Sequence, residues 1–249
     1  MTDAVLPRRS FVRLTVAAAI AFLILVGLGT WQVQRLHWKE ALIDSVNARV
    51  HLAPVPMPAP RSWAGLDTQG LAYTPVTVSG SFDHSHEIHV FIALAEPRGR
   101  FGGPGYFVLT PLKLDGGQWV FVNRGFVPEA NRDPATRLEG QVSGPQTVSG
   151  LLRPSEQPSW LSPADDIAKN VWFVRNTAAM AKAAGIDPAT VAPFTIDAFA
   201  GTPGSLPQGG ETIVSFPNNH LGYILTWYGL AGTLLAIWGV MLRRRLAGT

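Results

Sequence analysis

Leu14-Thr15-Val16-Ala17-Ala18-Ala19-Ile20-Ala21-Phe22-Leu23-Ile24-Leu25-Val26 is the centre of a 21-residue stretch, between Arg13 and Arg35, that carries no charge. A second uncharged stretch, 22 residues from Leu221 to Leu242, ends at Arg243-Arg244-Arg245. About 20 apolar residues at ~1.5 Å each cross a hydrocarbon core of about 30 Å. Two such spans leave everything between them on one side of a membrane. The expected architecture is therefore a transmembrane hairpin built from the two ends of the chain, with a domain held between them.

The charges set the orientation. Arg8, Arg9 and Arg13 precede the first stretch and the Arg triplet follows the second, which places both tails in the cytoplasm. Arg35 and Lys39 oppose this order but are outnumbered. The net charge of +3 hides two populations: residues 36–217 hold 13 basic and 16 acidic side chains, and the remainder holds seven Arg and Asp3. The high pI thus reports topology, and nucleic acid is not an expected partner. The expected division is a cytoplasmic tail (1–13), a transmembrane helix (14–34), an external, periplasmic domain (35–217), a second transmembrane helix (218–242) and a second tail (243–249). No Ala-x-Ala-like cleavage site follows at Gly27 to Trp31, and Trp31 and Trp38 suit a retained, interfacial anchor. Nothing resembling an Arg- and Ser-rich presequence comes first, so a bacterial plasma membrane is expected.

The chain has no cysteine, so disulfides and thiol chemistry are excluded. Period-two or β-branched runs mark strands at Thr74–Phe82, Glu87–Leu94, Gly105–Thr110, Trp119–Val122, Thr147–Leu152, Phe194–Ala198 and Glu211–Phe216. Leu114-Asp115-Gly116-Gly117 signals a hairpin between two of them. Thr177–Gly185 reads as a short helix closed by Gly185. Leu36–Val50 is expected to continue the first helix, and Gly201–Gly210 to be a flexible connector. The fold class is a mainly antiparallel β domain, barrel- or sandwich-like with a little helix (α+β), on a two-helix membrane hairpin.

The catalytic inventory is thin. No Gly-x-Ser-x-Gly, phosphate-binding loop or His-Glu-x-x-His is present, and no enzyme is expected. His84-Ser85-His86 would put two imidazoles on one face of a strand, a grip for Zn or Cu. A polar turn after Phe82-Asp83 is the plainer account, since two ligands seldom make a site. Arg124, behind an apolar strand, reads as a buried strut bonded to backbone carbonyls, or else as a carboxylate receptor. Asp165-Asp166 reads as a solvated turn.

His220 opens the second span at its outer end, behind a cap at Asn218-Asn219. In an antiparallel hairpin it lies level with Trp31, Gln32 and Arg35. His220, Tyr223, Ile224 and Trp227 form one stripe at i, i+3, i+4 and i+7. One imidazole, flat aromatics and a guanidinium suit a planar amphiphile such as haem. An ordinary aromatic belt with a capping His is the plainer reading of the same residues. Gly222, Thr226, Gly229 and Thr233 are expected to form the face packed against the first helix.

Gly29-Thr30-Trp31-Gln32-Val33-Gln34-Arg35-Leu36-His37-Trp38-Lys39 strongly resembles the surfeit-locus protein 1 family at its first membrane exit. The second entry, Pro217-Asn218-Asn219-His220-Leu221-Gly222-Tyr223-Ile224-Leu225-Thr226-Trp227-Tyr228-Gly229-Leu230-Ala231, does so too. Pro104-Gly105-Tyr106, Thr110-Pro111-Leu112, Val122-Asn123-Arg124-Gly125-Phe126-Val127-Pro128 and Asn170-Val171-Trp172-Phe173 fit the pattern in the same order. Phe126, in place of the usual Trp, and Gly222, at an often polar position, depart from it. The resemblance implies an assembly factor for haem-copper cytochrome c oxidase that carries haem a towards the catalytic subunit. It implies that subunit as partner, haem a synthase as a further candidate partner, and the bilayer as surroundings. By the same resemblance His220 would be the haem-iron ligand, with Trp31, Gln32, Arg35, Tyr223 and Trp227 around the cofactor. The alternative is a haem-free scaffold that stabilises an oxidase intermediate through the external domain.

Overall fold

The computed structural model describes residues 8–202, 204–212 and 218–247. The chain divides into a terminal unit, made of residues up to Ser45 and from Ser215 on, and a central unit, Val46–Val214.

Two helices form the terminal unit. α1 (Arg8–Val50) has 43 residues and is therefore ~65 Å long, about twice a hydrocarbon core. The expected continuation through Leu36–Val50 is present, and its last turn belongs to the central unit. There Val46 is buried, and Arg49 Nη1 donates to the carbonyls of Gly70 and Ala72. The C-terminal helix (His220–Leu246) has 27 residues. Leu23, Ile24 and Leu225 are exposed, as side chains facing lipid are. Both helices are long and apolar enough to cross a membrane.

Their mutual contact runs along one stripe of the C-terminal helix: His220, Ile224, Trp227, Ala231, Leu234 and Trp238, at alternating steps of four and three. Opposite it Gly29 and Gln32 are buried. Among the described residues three hydrogen bonds between side chains cross the seam. They link Gln32 to His220 (2.7 Å), Thr30 to Tyr228 (3.1 Å) and Thr15 to Trp238 (3.3 Å). A Cβ at Gly29 would lie 2.9 Å from the Tyr228 ring, so glycine lets the ring settle this close to α1. The expected small-residue seam is corrected. A Cβ at Gly222 or Gly229 meets nothing, and the Thr226 and Thr233 hydroxyls donate to the Gly222 and Gly229 carbonyls of their own helix. Each of these four residues stands two positions, about 200°, beyond a seam residue and so points away from α1.

Among the described residues the central unit has seven strands: β1 (Val55–Pro56), β2 (Pro75–Phe82), β3 (Ile88–Leu94), β4 (Gly103–Lys113), β5 (Trp119–Pro128), β6 (Pro145–Pro154) and β7 (Val191–Ala198). A short helix, α2 (Thr177–Ala183), stands between β6 and β7, and the C-terminal helix is α3. The neighbour order is β1-β2-β6-β7-β5-β4-β3, and β2 also pairs with β4. That second pairing closes β2-β6-β7-β5-β4 into a five-stranded barrel. Its pairs are antiparallel except β5–β7, and β1 joins β2 in parallel. β2 and β3 lie on the same edge of β4, Phe82 opposite Leu112 and Ile88 opposite Leu109. They act as one long strand broken at the 3-10 turn His84–His86.

Alternation along β5 builds two cores, because successive strand side chains face opposite ways. Val120 and Val122 join Val76, Leu112, Leu152, Phe194 and Ile196. Phe121 joins Trp172, Leu109 and Met180 of α2 on the other face, and the one-residue bulge of β5 between Asn123 and Phe126 brings Phe126 to that face as well. The Asn176 side chain caps α2, and Gly185 (φ +68) turns the chain after it, as expected. The strand expected at Glu211–Phe216 is not present over Glu211 and Thr212, and residues 213–216 lie outside those described. The Glu211 carboxylate instead accepts from the Arg98 and Gly99 amides and from Gln208 Nε2. The end of the expected flexible connector is fastened as well: Phe126 and Gln208 exchange two backbone hydrogen bonds of 2.8 Å.

Candidate haem-handling site and buried charge centre

The outer end of the α1–α3 hairpin holds the candidate site. His220 is the first residue of α3, and its amide donates to Asn218 Oδ1 at 3.4 Å. Asn219, at the N-cap, makes no side-chain cap, so the expected capping pair works through Asn218 alone. His220 Nδ1 lies 2.7 Å from Gln32 Oε1. Its Nε2 has no hydrogen-bond partner among the described residues. Gln32 is 8% exposed, and its amide oxygen, enclosed between two helices, is met there by the imidazole.

The six residues expected around the ligand separate into two groups. Gln32, His220 and Trp227 lie on the seam. Trp227 Nε1 is buried with no hydrogen-bond partner among the described residues, and a buried donor in that condition is costly. Trp31, Arg35 and Tyr223 do not converge with them. Trp31 and Tyr223 are about half exposed, and the Arg35 guanidinium lies 5.9 Å from the Trp31 ring centre and 5.1 Å from that of Trp38. Helical phase explains the split, because Trp31 and Tyr223 are each adjacent in sequence to a seam residue and so rotated about 100° from it.

The second concentration of chemistry lies in the central unit. Glu87, at the bend between β2 and β3, is buried and accepts from Arg137 Nη2 (2.6 Å), Arg124 Nη1 (3.3 Å) and Gln141 Nε2 (3.3 Å). Burial alone would raise its carboxyl. The His89 imidazole 3.8 Å away, the hydrogen bonds from Arg137 and Gln141 and the Arg137 charge together outweigh burial and hold it at about 2. Burial lowers the Arg124 guanidinium to about 10; Glu87 opposes that effect and Arg137 adds to it. Arg124 also donates to the Gly140 carbonyl. It is thus both things the sequence left open, a strut to backbone carbonyls and a carboxylate receptor.

The histidine pair resolves as a turn. His84 Nδ1 lies 3.1 Å from Arg124 Nη1, and its Nε2 is 2.8 Å from the Val142 carbonyl, so both nitrogens are engaged. His86 Nδ1 pairs separately with Asp83 at 2.7 Å. Among the described residues no group of three or more His, Cys, Asp or Glu is placed to hold a metal. Asp166 accepts from the Lys169 amide, as a turn requires, whereas Asp165 reaches the Phe173 amide eight residues on. Sequence reading missed Arg137 and Gln141, two of the three hydrogen-bond partners of Glu87 among the described residues. Its one available signal was a carboxylate opening an otherwise apolar strand.

Comparison with known proteins places the chain. The SURF1 family profile matches residues 19–232. Surfeit locus protein 1 of Rattus norvegicus is 38% identical over 232 residues, covering 89% of this chain and 73% of its own length. That of Homo sapiens is 39% identical over 224 residues, covering 85% and 72%. The SURF1-like protein of Drosophila melanogaster is 32% identical over 234 residues, covering 88% and 74%. With the profile covering the whole barrel and reaching into both helices, the chain belongs to the SURF1 family.

Proposed function

We propose that this protein is a membrane-anchored, non-enzymatic assembly factor for haem-copper cytochrome c oxidase. In this reading it holds haem a at the outer membrane interface of a bacterial plasma membrane and passes it to the oxidase catalytic subunit. Its tails are cytoplasmic and its barrel periplasmic, and haem a synthase is the source of the cargo. Membership of the family supports the assembly role. The observation that carries the haem reading is His220: an imidazole at the mouth of a transmembrane hairpin, fixed through Nδ1, with Nε2 unengaged among the described residues.

The seam fits such a cargo in one respect: His220 offers a metal-ligating nitrogen at the mouth of the hairpin. Bound haem a would supply an iron centre that takes an axial imidazole. The chain's own part is to orient one imidazole and to keep it at membrane level, where a cargo with a long apolar tail stays. A single ligand favours release to a competitor, because two strong ligands would trap the iron. Trp31, Arg35 and Tyr223 serve the interface as aromatic and cationic anchors.

One observation favours a docking role for the barrel beside this. Trp160 and Leu161 are 91% and 72% exposed at the tip of a turn closed by Ser159 and Ser162. Exposed neighbouring apolar side chains of this kind mark interaction sites. A scaffold acting through that turn alone is the second reading.

The test is the visible spectrum of protein purified from cells making haem a, as wild type and His220→Ala. The expected outcome is a haem a spectrum that the substitution abolishes. Stoichiometric haem in both proteins sinks the ligand assignment. Its absence from both, with synthesis verified in the same membranes, leaves the scaffold.

A further inference from the structure

We propose that Gln32 is a positioning residue that selects the tautomer of His220 and thereby sets how strongly its Nε2 binds a metal. The inference rests on the haem-ligand reading of His220 and adds a role that Gln32 would not have as a cargo contact. Gln32 Oε1 lies 2.7 Å from His220 Nδ1. A carbonyl oxygen can only accept, so at that distance Nδ1 carries the proton. A neutral imidazole protonated at Nδ1 keeps its lone pair on Nε2. Metal-binding histidines are held in this way by a partner on the other nitrogen, which orients the ring and raises its basicity.

The surroundings make the pairing specific. Gln32 is buried between the two helices, where an unsatisfied amide is expensive. The next interhelical pair, Thr30 with Tyr228, and the Gly29 approach to the Tyr228 ring fix the register that brings Gln32 to His220. A neutral amide is a weaker acceptor than a carboxylate and polarises the Nδ1–H less. That suits a ligand that must let go. Glutamate at this position would push Nε2 towards stronger binding, and leucine would leave the ring free to rotate and change tautomer.

The test has two arms on full-length protein in lipid nanodiscs. The first needs no haem: nitrogen-15 NMR of histidine-labelled protein, with His220→Ala identifying the signal. Wild type should show Nδ1 protonated and Nε2 bare. Gln32→Leu should lose that preference, and Gln32→Glu should keep it. A proton on Nε2 in wild type, or an unchanged signal in Gln32→Leu, overturns the proposal. The second arm loads haem a. Gln32→Leu should retain it about tenfold less well, in the range found for loss of such partners. Gln32→Glu should retain it at least as well as wild type, with a lower reduction potential. Equal retention and potential in all three overturns the tuning role. Haem retained by His220→Ala refutes the ligand reading, and with it the tuning role, while leaving the tautomer result intact.

Discussion

Glu87 stays ionised inside the barrel wall because two guanidiniums and an amide answer it, and removing the carboxylate would leave those cations buried together. Glu87→Gln should therefore cost about 3–5 kcal/mol, the usual range for breaking one side of a buried pair. Thermal unfolding of the detergent-solubilised chain, followed by tryptophan fluorescence, measures it. The pH dependence follows from the same residue. Its carboxyl falls from an ordinary 4.5 to about 2 on folding, so its contribution is complete above about 4.5 and lost as pH drops towards 2. Acid unfolding of wild type should steepen across that window, and Glu87→Gln should flatten it. Arg124 was legible beforehand as a strut behind an apolar strand. Arg137 and Gln141 were not, because they come 50 and 54 residues after Glu87 and no local pattern records such a contact.

At the scale of elements, the two spans and most strands were legible because each satisfies a local rule: an uncharged run of bilayer length, or period-two alternation. The contact face of α3 was misread because small residues were weighted above helical phase, and the small face points away from α1. The real close approach is one glycine on α1 against one ring. Gly29→Val should force Tyr228 aside, break its bond to Thr30, and destabilise the hairpin by about 1–3 kcal/mol, as overpacking does. Cysteine crosslinking across the seam would then slow. Gly125 (φ +131) plays the same part in the barrel, since a Cβ there runs into the Gln208 carbonyl. Gly125→Ala should detach the connector from β5 and speed proteolytic cleavage around residues 199–212, with the barrel itself retained. Parallel pairing of β5 with β7 was beyond sequence reading, because it depends on how the ring closes.

For the whole molecule, anchoring by both ends ties a barrel to a hairpin that presents one imidazole. The level of His220 against Gln32 was legible from antiparallel geometry. The outward turn of Trp31, Arg35 and Tyr223 was not, because membrane level says nothing of rotation about the helix axis. The proposed division of labour predicts separable losses: variants in the hairpin mouth should impair cargo, and variants at Trp160 and Leu161 should impair docking. The most direct measurement is the haem a content of cytochrome c oxidase catalytic subunit isolated from cells whose only copy of this protein is His220→Ala. Membrane levels of the variant should match wild type. Delivery through His220 predicts a severalfold fall in haem a per subunit. Full haem occupancy would contradict it and leave the barrel as a scaffold.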